Sequence, residues 1–344
     1  MTEISSLNLE ELKQQISELG LPAFRAKQIY EWLHKKNVDS FDKMTNIDKA
    51  LRQKLSQQFS ISVPEIERKL VSKIDGTQKY LFRFNDGECV ESVLMRYKYG
   101  NSICVSTQVG CAMGCTFCAS TKAGRVRNLT AGEILGQVYR AQTDTGERIS
   151  HIVLMGIGEP LDNFENVVKF LEMVSDKDGL NIGQRNISLS TCGVVPNIYK
   201  LAELDMQITL SVSLHAPFDD MRTKMMPINK KYPIAELIKA CRDYVKTTGR
   251  RISFEYSLIK GVNDSPECAK ALCELLKGML CHVNLIPINT IEQSSYRKSD
   301  RKSIEDFKKI IEDHKITATV RRKLGADINA ACGQLRRESK QMGL

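Results

Sequence analysis

The strongest constraint on the fold is a rhythm that begins near Ser102: short apolar runs separated by helix-like segments. The runs are Ile103–Thr107, Ile149–Met155, Ile187–Thr191, Ile208–Leu214, Ile252–Ile259, His282–Ile286 and Thr317–Arg321. Between them lie stretches such as Thr130–Thr143 and Phe164–Asp176, and the Thr130-x-x-Glu133 pattern predicts a capping box at the first. Strands joined through helices run parallel, because an antiparallel pair needs only a tight turn. About six such units predict a partial or distorted barrel, with ligands gathering at the C-terminal ends of its strands. Cys111, Glu159, Ser190, His215 and Asn289 fall at those ends.

The first hundred residues read differently. Leu9, Leu12, Ile16 and Leu19 recur at helical spacing, Gly20-Leu21-Pro22 breaks the run, Phe24–Leu33 resumes it, and Ile47–Phe59 makes a third helix. Lys79–Phe84 and Glu88–Met95 flank Asn85-Asp86-Gly87, a hairpin signature. We therefore expect an α/β chain in three parts: a helical and β-hairpin accessory domain (residues 1–96), the partial barrel (97–325) and a C-terminal segment (326–344).

Eleven cysteines would be an odd number for a disulfide framework, which turns attention to metal or thiol chemistry. Gly110-Cys111-Ala112-Met113-Gly114-Cys115-Thr116-Phe117-Cys118 carries the spacing CxxxCxxC just after the first barrel strand. Three thiolates from one loop suit three irons of a cubane and leave the fourth iron open to chelate S-adenosylmethionine (SAM). A structural zinc site would want a fourth Cys or His nearby in the pattern. No apolar stretch approaches the roughly 18 residues of a membrane span, and the N-terminus has no signal-like region, so a soluble cytoplasmic protein is expected. The formal charge of +9 is gathered in clusters, Lys122/Arg125/Arg127, Arg250/Arg251, Arg321/Arg322/Lys323 and Arg336/Arg337/Lys340, which favours a polyanionic partner.

The cysteine spacing with Phe117, and Met155-Gly156-Ile157-Gly158-Glu159-Pro160 about forty residues on, resemble the radical SAM superfamily and its partial (β/α) barrel. Val109-Gly110-Cys111, Arg127-Asn128-Leu129-Thr130, Ser211–Pro217, Met226-Pro227-Ile228-Asn229, Gly261-Val262-Asn263-Asp264 and Ala330–Leu335 narrow this: the chain resembles the RlmN/Cfr family of adenosine methyltransferases. The resemblance implies a 4Fe-4S cluster on Cys111, Cys115 and Cys118, and a SAM pocket formed by Gly158, Glu159, Ser190, Ser213, Leu214, His215 and Asn289. It also implies a methyl-carrying Cys332, a resolving Cys104 and Glu91 as proton acceptor, with two SAM molecules used per turnover. Expected partners are 23S rRNA, tRNA and a reducing donor such as flavodoxin or ferredoxin; a monomer is expected. Pro160 and Val109 point to methylation of adenine carbon 2, the RlmN type, over carbon 8, the Cfr type. Different-class readings are a non-catalytic iron-sulfur RNA-binding protein, and a radical SAM enzyme acting on a peptide or small molecule. Without the motif, Cys332 reads as a helix-lining residue, Cys104 as core, Glu91 as a solvent-facing strand carboxylate, and Trp32 as equally core or RNA-facing.

Overall fold

The computed structural model describes residues 1–122, 124–288 and 296–330. Its centre is a ten-stranded sheet whose strands lie side by side in chain order. They are β1 (Glu65–Val71), β2 (Gln78–Arg83), β3 (Cys89–Tyr97), β4 (Gly100–Cys104), β5 (Ile149–Leu154), β6 (Ile187–Thr191), β7 (Thr209–Ser213), β8 (Ile252–Leu258), β9 (Cys281–Pro287) and β10 (Thr317–Val320). β1 to β4 pair antiparallel and β4 to β10 pair parallel. Because β1 and β10 remain edges, the parallel part is a partial barrel, as expected from the alternation.

Three helices, α1 (Leu9–Glu18), α2 (Phe24–His34) and α3 (Lys49–Gln58), precede the sheet. The crossovers of the barrel run through α4 (Ala131–Thr145), α5 (Phe164–Ser175), α6 (Val195–Ala202), α7 (Asp219–Met225) with α8 (Ile234–Thr248), α9 (Pro266–Leu276) and α10 (Arg301–Asp313). The Thr130–Glu133 capping box forms at α4, with reciprocal bonds of 3.1 and 2.9 Å, and Asn8–Glu11 makes a second at α1. These boxes satisfy amide groups that a helix start otherwise leaves open.

The hairpin does not stand apart from the barrel. β3 turns at Gly100, whose φ of 133° a side chain rarely adopts, and pairs directly with β4, so the expected 96/97 boundary falls inside one continuous sheet. One apolar core runs from Ile4 on the N-terminal helices through Ile103, Ile152, Leu189, Leu210, Phe254 and Leu285 to Ala318. Trp32 is half-buried against that core, donates its indole N–H to Asn46 and carries the Lys36 ammonium 3.4 Å from its ring centroid. It joins packing and a cationic face at once.

Candidate active site

The cysteine loop leaves a short antiparallel ribbon, Gln108–Gly110 against Arg125–Asn128. Gly110 is required here: its φ is 78°, and an added Cβ would stand 1.9 Å from the Gly124 carbonyl oxygen. The Cys111 amide donates to that same carbonyl, Thr121 Oγ1 donates to the carbonyls of Cys115 and Cys118, and the Thr116 amide donates to Met225 of α7. Cys111 and Cys115 are buried and Cys118 is half-buried. Burial pushes the Cys111 thiol up to about 12, with nearby Cys118 and Glu159 adding to it. Cys115 rises further for the same first reason, then through Cys118 and Cys111. Two buried thiols pushed up in this way ionise together only against a bound cation. Among the described residues no three Cys, His, Asp or Glu side chains stand close enough to hold a single ion. Three cysteines on one loop, offering one sulfur to each of three irons, are the donor set that a cubane takes.

The Gly-rich turn after β5 packs backbone on backbone. Gly156 donates to the Val105 carbonyl at 3.0 Å, and Ile157 accepts from the amides of Thr107 and Gln108. A Cβ at Gly156 would meet Val105 O at 2.5 Å, and one at Gly158 would meet Gln108 N at 2.8 Å. The Glu159 carboxylate is buried, as its motif suggested, but both oxygens face backbone: Oε1 accepts from Leu161 N at 3.0 Å and Oε2 from Cys192 N at 2.7 Å. Burial raises its pKa while these donors oppose the rise. Its side chain thus fastens the end of β6 to the end of β5.

Further along the strand ends, Ser190 Oγ and Ser213 Oγ donate to Glu255 Oε2 at 3.1 and 3.5 Å. Glu255 itself was not singled out from the sequence. Register brings it beside Ser213, and its Oε1 is buried without a hydrogen-bond partner among the described residues. Such an oxygen requires a donor from a ligand or water. The available signal was the one charged residue in the strand Ile252–Leu258. Leu214 and His215 donate their amides to the Glu255 carbonyl. His215 is buried at a φ of 58°, stacks edge-on to Phe117, and accepts at Nδ1 from Ser257 N. Burial lowers its pKa to about 3, so the ring is neutral and carries its proton on Nε2. Asn263, from the Gly-Val-Asn-Asp motif, donates to the His215 and Ser257 carbonyls and holds this corner. Asn289 lies outside the described residues.

A cavity of about 970 Å³ brings the separate motifs together: Glu91, Cys104, Phe117, Cys118, Met155 and Arg321 are in its wall. Cys104 is buried with Val93, Met95, Met155, Leu324 and Ala330, and burial raises its thiol to about 11. Glu91 is not solvent-facing; it is 1 % exposed and ion-paired with Lys79, itself fully buried, at 2.9 Å. Lys79 Nζ also donates to the Asn329 carbonyl at 3.0 Å. Asp327 accepts from Ser72 Oγ at 2.6 Å and Lys73 N at 2.8 Å, and Gly325 N donates to Asp75. The C-terminal segment is therefore tied to the β1–β2 turn, and Ala330 reaches the cavity wall beside Cys104. Cys332, two residues on, lies outside the described residues.

This combination of parallel partial barrel, three-cysteine loop and strand-end pocket defines a radical SAM enzyme, and the Radical SAM superfamily profile matches residues 105–276. The profile for the ribosomal RNA large subunit methyltransferase N-terminal domain matches residues 2–61. A probable dual-specificity RNA methyltransferase RlmN from Clostridium novyi (strain NT) is 56% identical over 98% of both chains. Its counterpart from Clostridium perfringens (strain 13 / Type A) is 59% identical over 98% of this chain and 97% of that one. The crystal structure of a radical SAM methyltransferase from Sphaerobacter thermophilus superposes with a TM-score of 0.93 at 43% identity, covering 97% of this chain and 99% of that one. The chain belongs to the RlmN family. None of its described helices is long and apolar enough to cross a membrane.

Proposed function

We propose that this chain is a dual-specificity RNA methyltransferase that methylates carbon 2 of adenosine in 23S rRNA and in tRNA. The observation that carries the reading is the shared cavity, where Glu91, Cys104 and Cys118 meet Ala330 of the C-terminal segment. Cys111, Cys115 and Cys118 would hold a 4Fe-4S cluster, and Gly158, Ser190, Ser213, Leu214, His215 and Asn289 would bind SAM, with Glu159 bracing the pocket through the backbone. When bound, the cluster supplies the electron that cleaves SAM and yields a 5′-deoxyadenosyl radical.

The residues of the chain then divide the work. Carbon 2 of adenine is electron-poor and cannot attack a methyl cation equivalent, so the carbon must arrive as a radical on the protein. Cys332 takes a methyl from one SAM by displacement, loses a hydrogen atom from it to the radical made from a second, and joins carbon 2 through the remaining methylene. Glu91, buried beside Lys79, accepts the ring proton. The adduct's unpaired electron would be taken back by the oxidised cluster; Cys104 then attacks the Cys332 sulfur, the carbon–sulfur electron pair goes to the product carbon, which takes up a proton to become the methyl group, and a Cys104–Cys332 disulfide is left for a thiol reductant. The protein works as a monomer in the cytoplasm with flavodoxin or ferredoxin as electron donor. Arg321, Arg322 and Lys323 at the cavity mouth attract the RNA backbone around an unpaired target base.

Two measurements test the reading. Cys104→Ala should accumulate a protein–RNA adduct that survives denaturation, and Cys332→Ala should form none; unimpaired methylation by both variants would rule out the two-thiol route. Mass spectrometry of rRNA and tRNA from a deletion strain, with and without this chain, should show 2-methyladenosine restored in both RNAs. Restoration of 8-methyladenosine instead would assign the chain to carbon 8.

A further inference from the structure

Arg222, on α7, is the largest fully buried side chain of the described residues, and its partners are unusual for a cation in that position. Nε donates to the Leu214 carbonyl at 3.2 Å, Nη2 to the carbonyls of Cys192 at 2.7 Å and Ser213 at 3.2 Å, and Nη1 to Asn229 Oδ1 at 2.9 Å. All four acceptors are neutral, and among the described residues Arg222 forms no ion pair. Guanidinium stays protonated in proteins, and a buried charge without a counter-ion costs several kcal/mol. An anion is therefore due nearby. Asp219 is exposed and reaches the guanidinium only through Asn229, whose Nδ2 donates to Asp219 Oδ1 at 2.8 Å.

The neighbourhood supplies a better candidate. α7 is fastened to the cysteine loop, since the Thr116 amide donates to the Met225 carbonyl at 2.9 Å. Cys115, Cys192 and Met225 share one buried cluster with the half-buried Cys118 and Phe117. Burial drags the guanidinium pKa down, and the strongest influences holding it up are the Cys192 and Cys115 sulfurs, ahead of Asp219.

We infer that Arg222 is the built-in counter-charge of the iron-sulfur cluster and sets its reduction potential. The inference rests on the cluster reading given above. Three thiolates outweigh the positive charge of an oxidised cubane core, so the assembly is anionic, and reduction adds one more negative charge. A fixed buried cation therefore stabilises the reduced form more than the oxidised form and makes the electron easier to deliver. Arg222 touches neither SAM nor RNA in this account; it positions a charge. The four acceptors keep that charge from turning away, because each arm of the fork is committed to the end of β6, the end of β7 or Asn229.

The test is an EPR-monitored dithionite titration of anaerobically reconstituted wild type, Arg222→Gln, Arg222→Lys and Asp219→Asn. Arg222→Gln should reduce at least tenfold less readily, a shift of about 59 mV to more negative potential for one electron. Arg222→Lys, which keeps the charge and loses the fork, should recover at least half of that shift. Asp219→Asn removes an opposing charge at the surface and should move the potential the other way. A fully clustered Arg222→Gln protein at the wild-type potential would overturn the inference, as would equal shifts for Gln and Lys, which would mark the fork as a backbone clamp only. If Arg222→Gln fails to assemble, Asp219→Asn decides alone: an unmoved or more negative potential there refutes the role. Wild type that takes up no cluster would bring down the cofactor reading itself, a result visible in absorbance before any titration.

Discussion

Lys79→Met is the sharpest perturbation of the fold that the cavity offers. Lys79 is 0 % exposed and Glu91 1 %, the pair between them is 2.9 Å long at the cavity wall, and Lys79 is also bonded to Asn329 of the C-terminal segment. Removing one member of such a pair strips the other of its opposite charge at this contact, which costs about 3–5 kcal/mol, whereas removing both and filling the space with apolar atoms is nearly neutral. The expected pattern in chemical denaturation is a loss of about 3–5 kcal/mol for Lys79→Met and for Glu91→Leu. In the double variant the loss should be about 1 kcal/mol or less, far short of the sum. Because Lys79 also holds the Asn329 carbonyl, Lys79→Met should in addition speed proteolysis near residue 329. Additive losses in the double variant would show that the two charges do not depend on each other. A single-variant loss under about 1 kcal/mol would show that water reaches the pair, and either result would refute the reasoning.

Gly158→Ala, with φ at 112° and Gln108 N only 2.8 Å from the added Cβ, should cost about 1–3 kcal/mol and weaken SAM binding in equilibrium dialysis; full affinity would detach this turn from the pocket. His34 is fully buried, and burial lowers its pKa to about 3 from an unfolded value near 6.5. Its neutral form is favoured by folding, so the contribution is complete above pH 6.5 and is lost as pH falls from there towards 3, at up to about 1.4 kcal/mol per pH unit. His34→Gln should flatten that slope in denaturation curves at pH 4.5 and 6.5 by about this amount, and an unchanged slope would show that His34 does not titrate with unfolding. Asp327→Ala removes the acceptors for Ser72 Oγ and Lys73 N, so it should lower the yield of the Cys104→Ala adduct several-fold while leaving SAM affinity alone; equal yields would mean that this anchor does not guide the segment.

The alternation of apolar runs sufficed for the parallel sheet because period and spacing are local signals, and each crossover helix is long enough to declare itself. The Thr130-x-x-Glu133 box was legible for the same reason: both its bonds span three residues. What escaped the sequence was pairing across distance. Lys79 and Glu91 stand on adjacent strands, Ser72 and Asp327 are 255 residues apart, and Glu255 meets Ser190 across two strands. No periodicity reports which buried acid faces which buried base. The fusion of hairpin and barrel was hidden too, since a hairpin pattern does not reveal whether its second strand has another neighbour.

The polar side chains at the strand ends also divide in a way that motif matching cannot express. Glu159, Asn263 and Arg222 spend most of their hydrogen bonds on backbone groups of β6, β7 and β8 or of the loops after β5 to β8, and so fix where those ends stop. Ser190 and Ser213 turn instead to Glu255, leaving its Oε1 unpartnered, and His215 commits Nδ1 to Ser257, leaving the Nε2 proton as its donor. Buried polar atoms without partners are costly, and at the strand ends Glu255 Oε1 is such an atom, placed where a ligand can complete it. On that ground Glu255 joins the groups proposed to bind SAM, although no motif named it. Glu159, the most recognisable residue of its motif, belongs with the scaffold that holds them in register.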